Sequence, residues 1–260
     1  MEKLVLDYAQ VLITPRCTLR CEKCSVASNL WDKNDKSEDM SIEDFKATVE
    51  HAFSRFRMMN ELHIIGGEPL LNDKLPDMLE WLHDSFGAYI NQVIIVTNAT
   101  ILPSGRLTNA LRETRFTLLL SDYTREIPEL TNRFNQVIGL AKENHIPYGV
   151  TFHPFVDYGY DLEEHGSSFR SCAQKSPYLC HEIRGDRIFY CTQARINNEI
   201  RGYGYKEDGI SLATSTDEEL ESYIHGALFG HETCKRCRGA DAIKYSCPMG
   251  RQMEEKEMIL

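Results

Sequence analysis

Several things are missing from this 260-residue sequence, and each absence closes off a class of protein. No apolar run approaches the roughly 20 residues needed to cross a bilayer. The N-terminal stretch MEKLVLDYAQVLIT carries acids inside a short apolar run, so it does not read as a signal peptide. Positive charge is not in excess: 29 basic against 39 acidic residues leave a net charge of −10, which works against sequence-independent binding to nucleic acid or anionic lipid. Internal repeats and low-complexity tracts are absent as well. With 42% hydrophobic residues the chain is long enough for one sizeable core. The expectation is a folded cytoplasmic protein with neither a membrane nor a nucleic-acid partner. Cysteine, by contrast, is abundant. Nine of them, an odd number in a chain assigned to a reducing compartment, point away from disulfides and toward metal or redox chemistry.

Along the chain, apolar runs alternate with amphipathic ones. AQVLIT (9–14), ELHIIGG (61–67), NQVIIVTN (91–98), RFTLLLSD (115–122) and PYGVTFHP (147–154) have the β-branched content and the Gly, Pro, Asn or Asp boundaries of buried strands. Between them, SIEDFKATVEHAFSRF opens on Ser41 and an acidic first turn, and LPDMLEWLHDSF, SGRLTNALRET and PELTNRFNQVIGLAKENH carry helix-spaced apolar residues. Repeated strand–helix–strand units imply a parallel sheet with right-handed crossovers. Five strands and four helices are too few to close an eight-stranded barrel, so the expected fold is α/β, a partial TIM-like barrel over residues 1–165. After about residue 155 the character changes. VDYGYDLEEHGSS is a glycine-rich acidic loop, CHEIRGDRIFYC reads as a hairpin with a cysteine at each foot, and SYIHGALFGHETCKRC leads a helix-like run into a C-x2-C pair. Residues 166–260 are thus expected to form a smaller metal-binding unit.

Parallel α/β sheets carry their chemistry beyond the C-terminal ends of the strands. Cys17, Cys21 and Cys24 sit there, directly after the first strand. Sulfur donors favour zinc, copper(I) or iron–sulfur clusters, and a structural zinc site needs four protein ligands, which this neighbourhood does not offer. Three thiolates on a four-iron cluster would leave one iron open to another ligand.

The spacing C-x3-C-x2-C after the first strand, GGEP (66–69) after the second and TN (97–98) after the third resemble the radical S-adenosylmethionine superfamily. The resemblance implies a 4Fe-4S cluster on Cys17, Cys21 and Cys24, with S-adenosylmethionine chelating the fourth iron and being cleaved to a 5′-deoxyadenosyl radical. It also implies cofactor contacts from Gly66, Gly67, Glu68 and Pro69, from Thr97 and Asn98, and, on a looser match in LSDY, from Ser121 and Asp122. The glycines would admit the ligand to the backbone, Glu68 would accept from the methionine ammonium, and Pro69 would fix the turn. Lys23 departs from the family, which commonly has an aromatic residue before the third cysteine. His153, ending the fifth strand, points toward the same cavity and is the candidate catalytic residue, against the plainer account of a satisfied loop histidine.

The C-terminal cysteines resemble the shorter auxiliary-cluster extension of that superfamily, the twitch domain, related to the longer SPASM extension. The resemblance implies a second 4Fe-4S cluster held by Cys191, Cys234 and Cys237 with a fourth ligand that is either Cys172 or Cys180. Twelve residues separate Cys172 from Gly185, the family's usual gap, whereas Cys180 stands at the hairpin's foot. Cys247 is a spare thiol, a substitute ligand or a relic of the longer extension. A structural zinc knot is the alternative for the whole set.

The implied function is removal of a substrate hydrogen by the radical, with oxidation or epimerisation of a small sugar-like or other polar metabolite and a flavodoxin or ferredoxin as reductant. Maturation of a ribosomal peptide is the alternative. Such maturases often carry an N-terminal peptide-recognition domain, and only a dozen residues precede the cluster loop here, an expectation that favours the small substrate unless a separate partner delivers the peptide. A non-catalytic electron carrier or sensor is the third reading.

Overall fold

The computed structural model describes residues 3–158, Cys172, and residues 180–200, 208–225 and 232–253. The expected loop at 156–168 therefore lies mostly, and the helix-like run expected at 222–237 partly, outside the described residues. Five parallel strands come first: β1 (Leu4–Leu12), β2 (Phe56–Ile65), β3 (Ile90–Thr97), β4 (Thr117–Ser121) and β5 (Tyr148–Thr151). Four helices connect them: α1 (Ile42–Arg55), α2 (Leu75–Phe86), α3 (Gly105–Thr114) and α4 (Thr131–Glu143). Ser41 Oγ accepts from Asp44 N at 3.0 Å to cap α1, with Glu43 and Asp44 complementing the exposed N–H groups of the first turn. Ser104 caps α3 in the same way through Leu107 N.

Side chains of β1–β4 alternate between two faces. Ala9, Val11, Leu62, Ile64, Val93, Ile95, Leu118 and Leu120 are buried in one core with Phe45 and Val49 of α1, Met78 and Leu82 of α2, Leu107 and Leu111 of α3 and Val137 of α4. Residues of opposite parity, such as Gln10, His63, Leu119 and Thr151, line a cavity on the concave side.

The hairpin forms where expected, as β6 (His181–Arg184) and β7 (Arg187–Phe189), turning at Gly185 with φ +57°. A further short strand, β8 (Gly209–Ser211), pairs antiparallel with β7. The hairpin is not set apart from the barrel strands: β6 runs parallel to β1 in the register Ala9 to His181 and Gln10 to Glu182. One eight-stranded sheet results, in the order β5-β4-β3-β2-β1-β6-β7-β8. Its ends do not meet, so the barrel is partial, and both sides of residue 165 share a sheet. Further on lie α5 (Thr192–Arg195), α6 (Asp217–Ile224), capped by a reciprocal Thr216–Glu219 box, and α7 (Glu232–Arg236). No described helix is long and apolar enough to cross a membrane.

Candidate active site

The loop after β1 is held from behind. Arg16, 4% exposed, sets its guanidinium fork on the Asp39 carboxylate, with Nε to Oδ1 at 2.9 Å, and also reaches Leu71 O at 2.6 Å. Planar bidentate pairing of this kind suits arginine alone. From the other side the GGEP turn docks onto the same loop: Gly67 N donates to Thr14 O at 2.9 Å and Glu68 N to Arg16 O at 2.8 Å. A Cβ at Gly66 would stand 2.7 Å from Thr14 O, and one at Gly67 would stand 2.3 Å from Arg16 O. The glycines thus make room first for the cluster loop itself.

Glu68 is fully buried. Its carboxylate accepts from Leu70 N at 3.1 Å, from Thr97 Oγ1 at 2.7 Å and from Asn98 N at 2.8 Å, tying the ends of β2 and β3 together. Burial pushes its pKa up to about 7 against the opposing pull of those three donors. Asn98 in turn donates from Nδ2 to Thr18 Oγ1 at 3.1 Å and to Cys17 Sγ at 3.4 Å.

The three thiols share one cavity of about 320 Å³ at the C-terminal ends of β1–β5. Gly66, Gly67, Thr97, Asn98, Ser121 and His153 line it with them. Glu68, Pro69 and Asp122 do not: Pro69 is buried in a one-turn helix, and Asp122 Oδ1 accepts from Thr124 N at 2.9 Å in a local turn. Burial pushes the Cys17 and Cys21 thiols up, Cys21 to about 12, with the neighbouring thiols adding to the rise. Thiols in such a place become thiolates when a positively charged centre offsets the charge. Among the described residues no three His, Cys, Asp or Glu side chains are gathered closely enough to hold a single metal ion, so the triad is not a preformed zinc shell. All-sulfur donors, one open side and strand-end polar groups facing it fit an iron–sulfur cluster with a ligand on its free corner.

Lys23 turns away from this cavity's aromatic wall. In the left-handed region at φ +52°, it reaches Asp157 at 3.0 Å, a carboxylate that also pairs with Arg238. Tyr123 and Phe155, in edge-to-face contact with ring centroids 6.2 Å apart, supply aromatic lining instead.

The cavity is also lined by residues that carry no motif, Tyr8, Gln10, His63 and Thr192, and by Cys180. Tyr8 OH donates to Gln10 Oε1 at 3.2 Å, the Gln10 amide bonds Thr192 Oγ1, and His63 Nε2 lies 3.2 Å from Glu61 Oε2. Strand alternation, which sets 61, 63 and 65 on the face opposite Leu62 and Ile64, was the available signal. His153 is exposed at the rim, its Nδ1 3.3 Å from Thr151 Oγ1.

Burial raises the Cys191, Cys234 and Cys237 thiols, and the charge of Cys172 adds to the rise in each of these three, as it does in Cys180. Cys180 also lines the main cavity. Cys247 lies beside the cluster loop, its Sγ 3.8 Å from Glu22 O. None of the nine forms a disulfide.

An open α/β barrel that presents three soft donors and a polar rim at its strand ends belongs to the class of cluster-bearing enzymes. A family model, that of the radical SAM superfamily, matches residues 11–171, and the chain belongs to that superfamily. Its cofactors are accordingly a 4Fe-4S cluster and S-adenosylmethionine. Among curated proteins it is similar to GTP 3′,8-cyclase of Alkaliphilus oremlandii, 29% identical over 108 residues, which are 42% of this chain and 32% of that one. The same enzyme of Helicobacter pylori (strain HPAG1) is 32% identical over 103 residues, 38% of this chain and 29% of that one. The matched region thus spans about a third of these relatives. The fold is similar to that of a solved structure of BtrN in complex with AdoMet and 2-DOIA, with a TM-score of 0.53 and 16% identity, covering 95% of this chain and 100% of that one.

Proposed function

We propose that this enzyme uses its radical chemistry to remove a hydrogen atom from a small, hydroxyl-rich polar metabolite, which it oxidises or epimerises. The observation that carries this reading is one cavity lined both by the thiol triad and by hydrogen-bonding side chains from β1, β2 and the start of α5. A fold like that of a protein described with AdoMet and 2-DOIA bound supports a second ligand beside S-adenosylmethionine.

When bound, the cluster and S-adenosylmethionine supply one-electron cleavage to a 5′-deoxyadenosyl radical; the chain holds, orients and shields. Cys17, Cys21 and Cys24 provide the sulfurs. Gly66, Gly67, Thr97, Asn98 and Ser121, which line the cavity, would hold the cofactor, while Glu68, Pro69 and Asp122 support their turns. Tyr8, Gln10 and Thr192 offer donors and acceptors to substrate hydroxyls. Two imidazoles stand ready to take a hydroxyl proton: His153 at the rim, and His63, whose pKa burial lowers, so that in neutral solution it is the uncharged form that accepts protons. Cys172, Cys191, Cys234 and Cys237 would hold a second 4Fe-4S cluster, whose chemistry there is one-electron transfer, with Cys180 left as a cavity thiol. Residues 166–260 then act as a twitch-like unit on the barrel of residues 1–165. A flavodoxin- or ferredoxin-type reductant and a cytoplasmic location complete the proposal.

The test is anaerobic reconstitution. Loading should reach about eight irons per chain, and reduced protein given S-adenosylmethionine should release 5′-deoxyadenosine. Alanine at Cys17, Cys21 and Cys24 should abolish that release. Deuterated cyclitols, sugars, nucleotides and short peptides then compete as deuterium donors to 5′-deoxyadenosine. Labelling from peptides alone would move the enzyme to peptide maturation, and no 5′-deoxyadenosine at all would make it an electron carrier or sensor.

A further inference from the structure

The final described residues return to the cluster loop. Glu22 N donates to Arg251 O and Met253 N to Arg20 O, both at 2.8 Å, and Cys21 and Gln252 face each other across this short antiparallel pairing. The strap is pinned at its start as well, where Phe155 and Cys247 exchange two backbone hydrogen bonds of 2.9 Å. Gly250, at φ +95°, lets the strap lie against Tyr123: a Cβ there would be 2.5 Å from the tyrosine ring. The segment is therefore seated at the edge of the cofactor cavity.

The Gln252 amide has a fixed orientation. Arg20 N, a donor, stands 2.8 Å from Oε1, and Gly250 O, an acceptor, stands 2.7 Å from Nε2. Exchanging the two ends would set donor against donor and acceptor against acceptor. The nitrogen so placed is 3.2 Å from Cys21 Sγ, and Cys21 is only 6% exposed. Hydrogen bonds to cluster sulfurs stabilise the more negative, reduced state and raise the reduction potential.

We propose that Gln252 is a positioning residue that acts through Cys21: its amide donates to the Cys21 thiolate, raises the reduction potential of the triad's cluster and excludes water from that sulfur. The inference rests on Cys17, Cys21 and Cys24 being the ligands.

The experiment is a redox titration of the reconstituted holoenzyme followed by electron paramagnetic resonance, reading the reduced signal that changes when S-adenosylmethionine is added. Gln252→Leu fills the space with an apolar group, and Gln252→Ala opens the sulfur to water, which donates in the amide's place. The midpoint should fall in both, further in Gln252→Leu than in Gln252→Ala, while any signal insensitive to S-adenosylmethionine keeps its potential. Gln252→Glu keeps an acceptor for Arg20 N and replaces the donor by a negative oxygen, so it should lower the midpoint even where the leucine variant loads poorly. A wild-type midpoint in Gln252→Leu and Gln252→Glu, or a fall in Gln252→Ala as large as that in Gln252→Leu, overturns the proposal. A wild-type protein with no signal responsive to S-adenosylmethionine overturns the ligand assignment, and this inference with it.

Discussion

Replacing Gly67 by alanine should cost this protein its cluster loop. The added methyl carbon would lie 2.3 Å from Arg16 O, 2.6 Å from Arg16 C and 2.7 Å from Pro15 O. All three atoms are backbone, so no side chain can swing away. Ordinary contact needs about 3.5 Å, which requires a main-chain shift of about 1 Å. That shift breaks the 2.9 Å bond from Gly67 N to Thr14 O and the 2.8 Å bond from Glu68 N to Arg16 O. Two such bonds contribute about 2 kcal/mol net, and overpacking adds about 1–3 kcal/mol. A loss of about 3–5 kcal/mol lowers the melting temperature by about 6–20 °C in a chain of this size. The assay is thermal unfolding of the apoprotein beside iron content after reconstitution, with Gly139→Ala as control. Gly139 lies inside α4 with nothing within 4 Å of its would-be Cβ, so alanine there should stabilise by about 0.5–1 kcal/mol. If Gly67→Ala melts with the wild type and loads the same iron, the docking of the GGEP turn onto the cluster loop is not what glycine is there for.

Asp39→Ala leaves the Arg16 guanidinium buried without its carboxylate; a loss of about 3–5 kcal/mol in urea unfolding is expected, and a loss under about 1 kcal/mol would mean that solvent reaches the arginine. His181 is 3% exposed between Phe189 O and Ile224 O, and burial pushes its pKa down from 6.5 to about 4. Its folded-state value lies below its unfolded one, so its contribution is intact above pH 6.5 and declines as pH falls toward 4. Urea unfolding of His181→Gln against wild type should show the gap between them closing by about 3 kcal/mol across that window; a constant gap would mean that the imidazole charges in the folded state. Finally, Cys172→Ser should remove the second cluster's absorbance whereas Cys180→Ser should leave it, and the reverse result would exchange their roles.

Much of the barrel was legible because its signals are local. Ser41 and Ser104 cap helices by bonding N–H groups three residues away, and LPDMLEWLHDSF coincides with α2 because its apolar period and its Pro76 act within a few turns. Boundaries slipped where context overrode pattern. β1 begins at Leu4 rather than residue 9, since Asp7, exposed, takes a hydrogen bond from Asn60 of the neighbouring strand and does not break the run. β2 begins at Phe56, the position where α1's pattern was expected to end. At the site, the cysteine triad and the GGEP and TN turns were readable from spacing. The inward-facing Tyr8, Gln10 and His63 carry no motif and emerge only when strand parity is counted from a known face.

The sequence by itself determined the elements of the barrel, the family and the residues on the cluster loop, because short-range periodicity, capping and cysteine spacing are written within a few positions of one another. Tertiary structure decided the rest. Only the parallel register of β6 on β1, across some 170 residues of chain, joins the hairpin to the barrel sheet and brings Cys180 to the cavity. Glu68 turned out to knit strand ends together, and Gln252 to bring its amide to the Cys21 thiol. Pairings of that range depend on how the chain closes on itself, and closure is a property of the packed whole that no local pattern encodes.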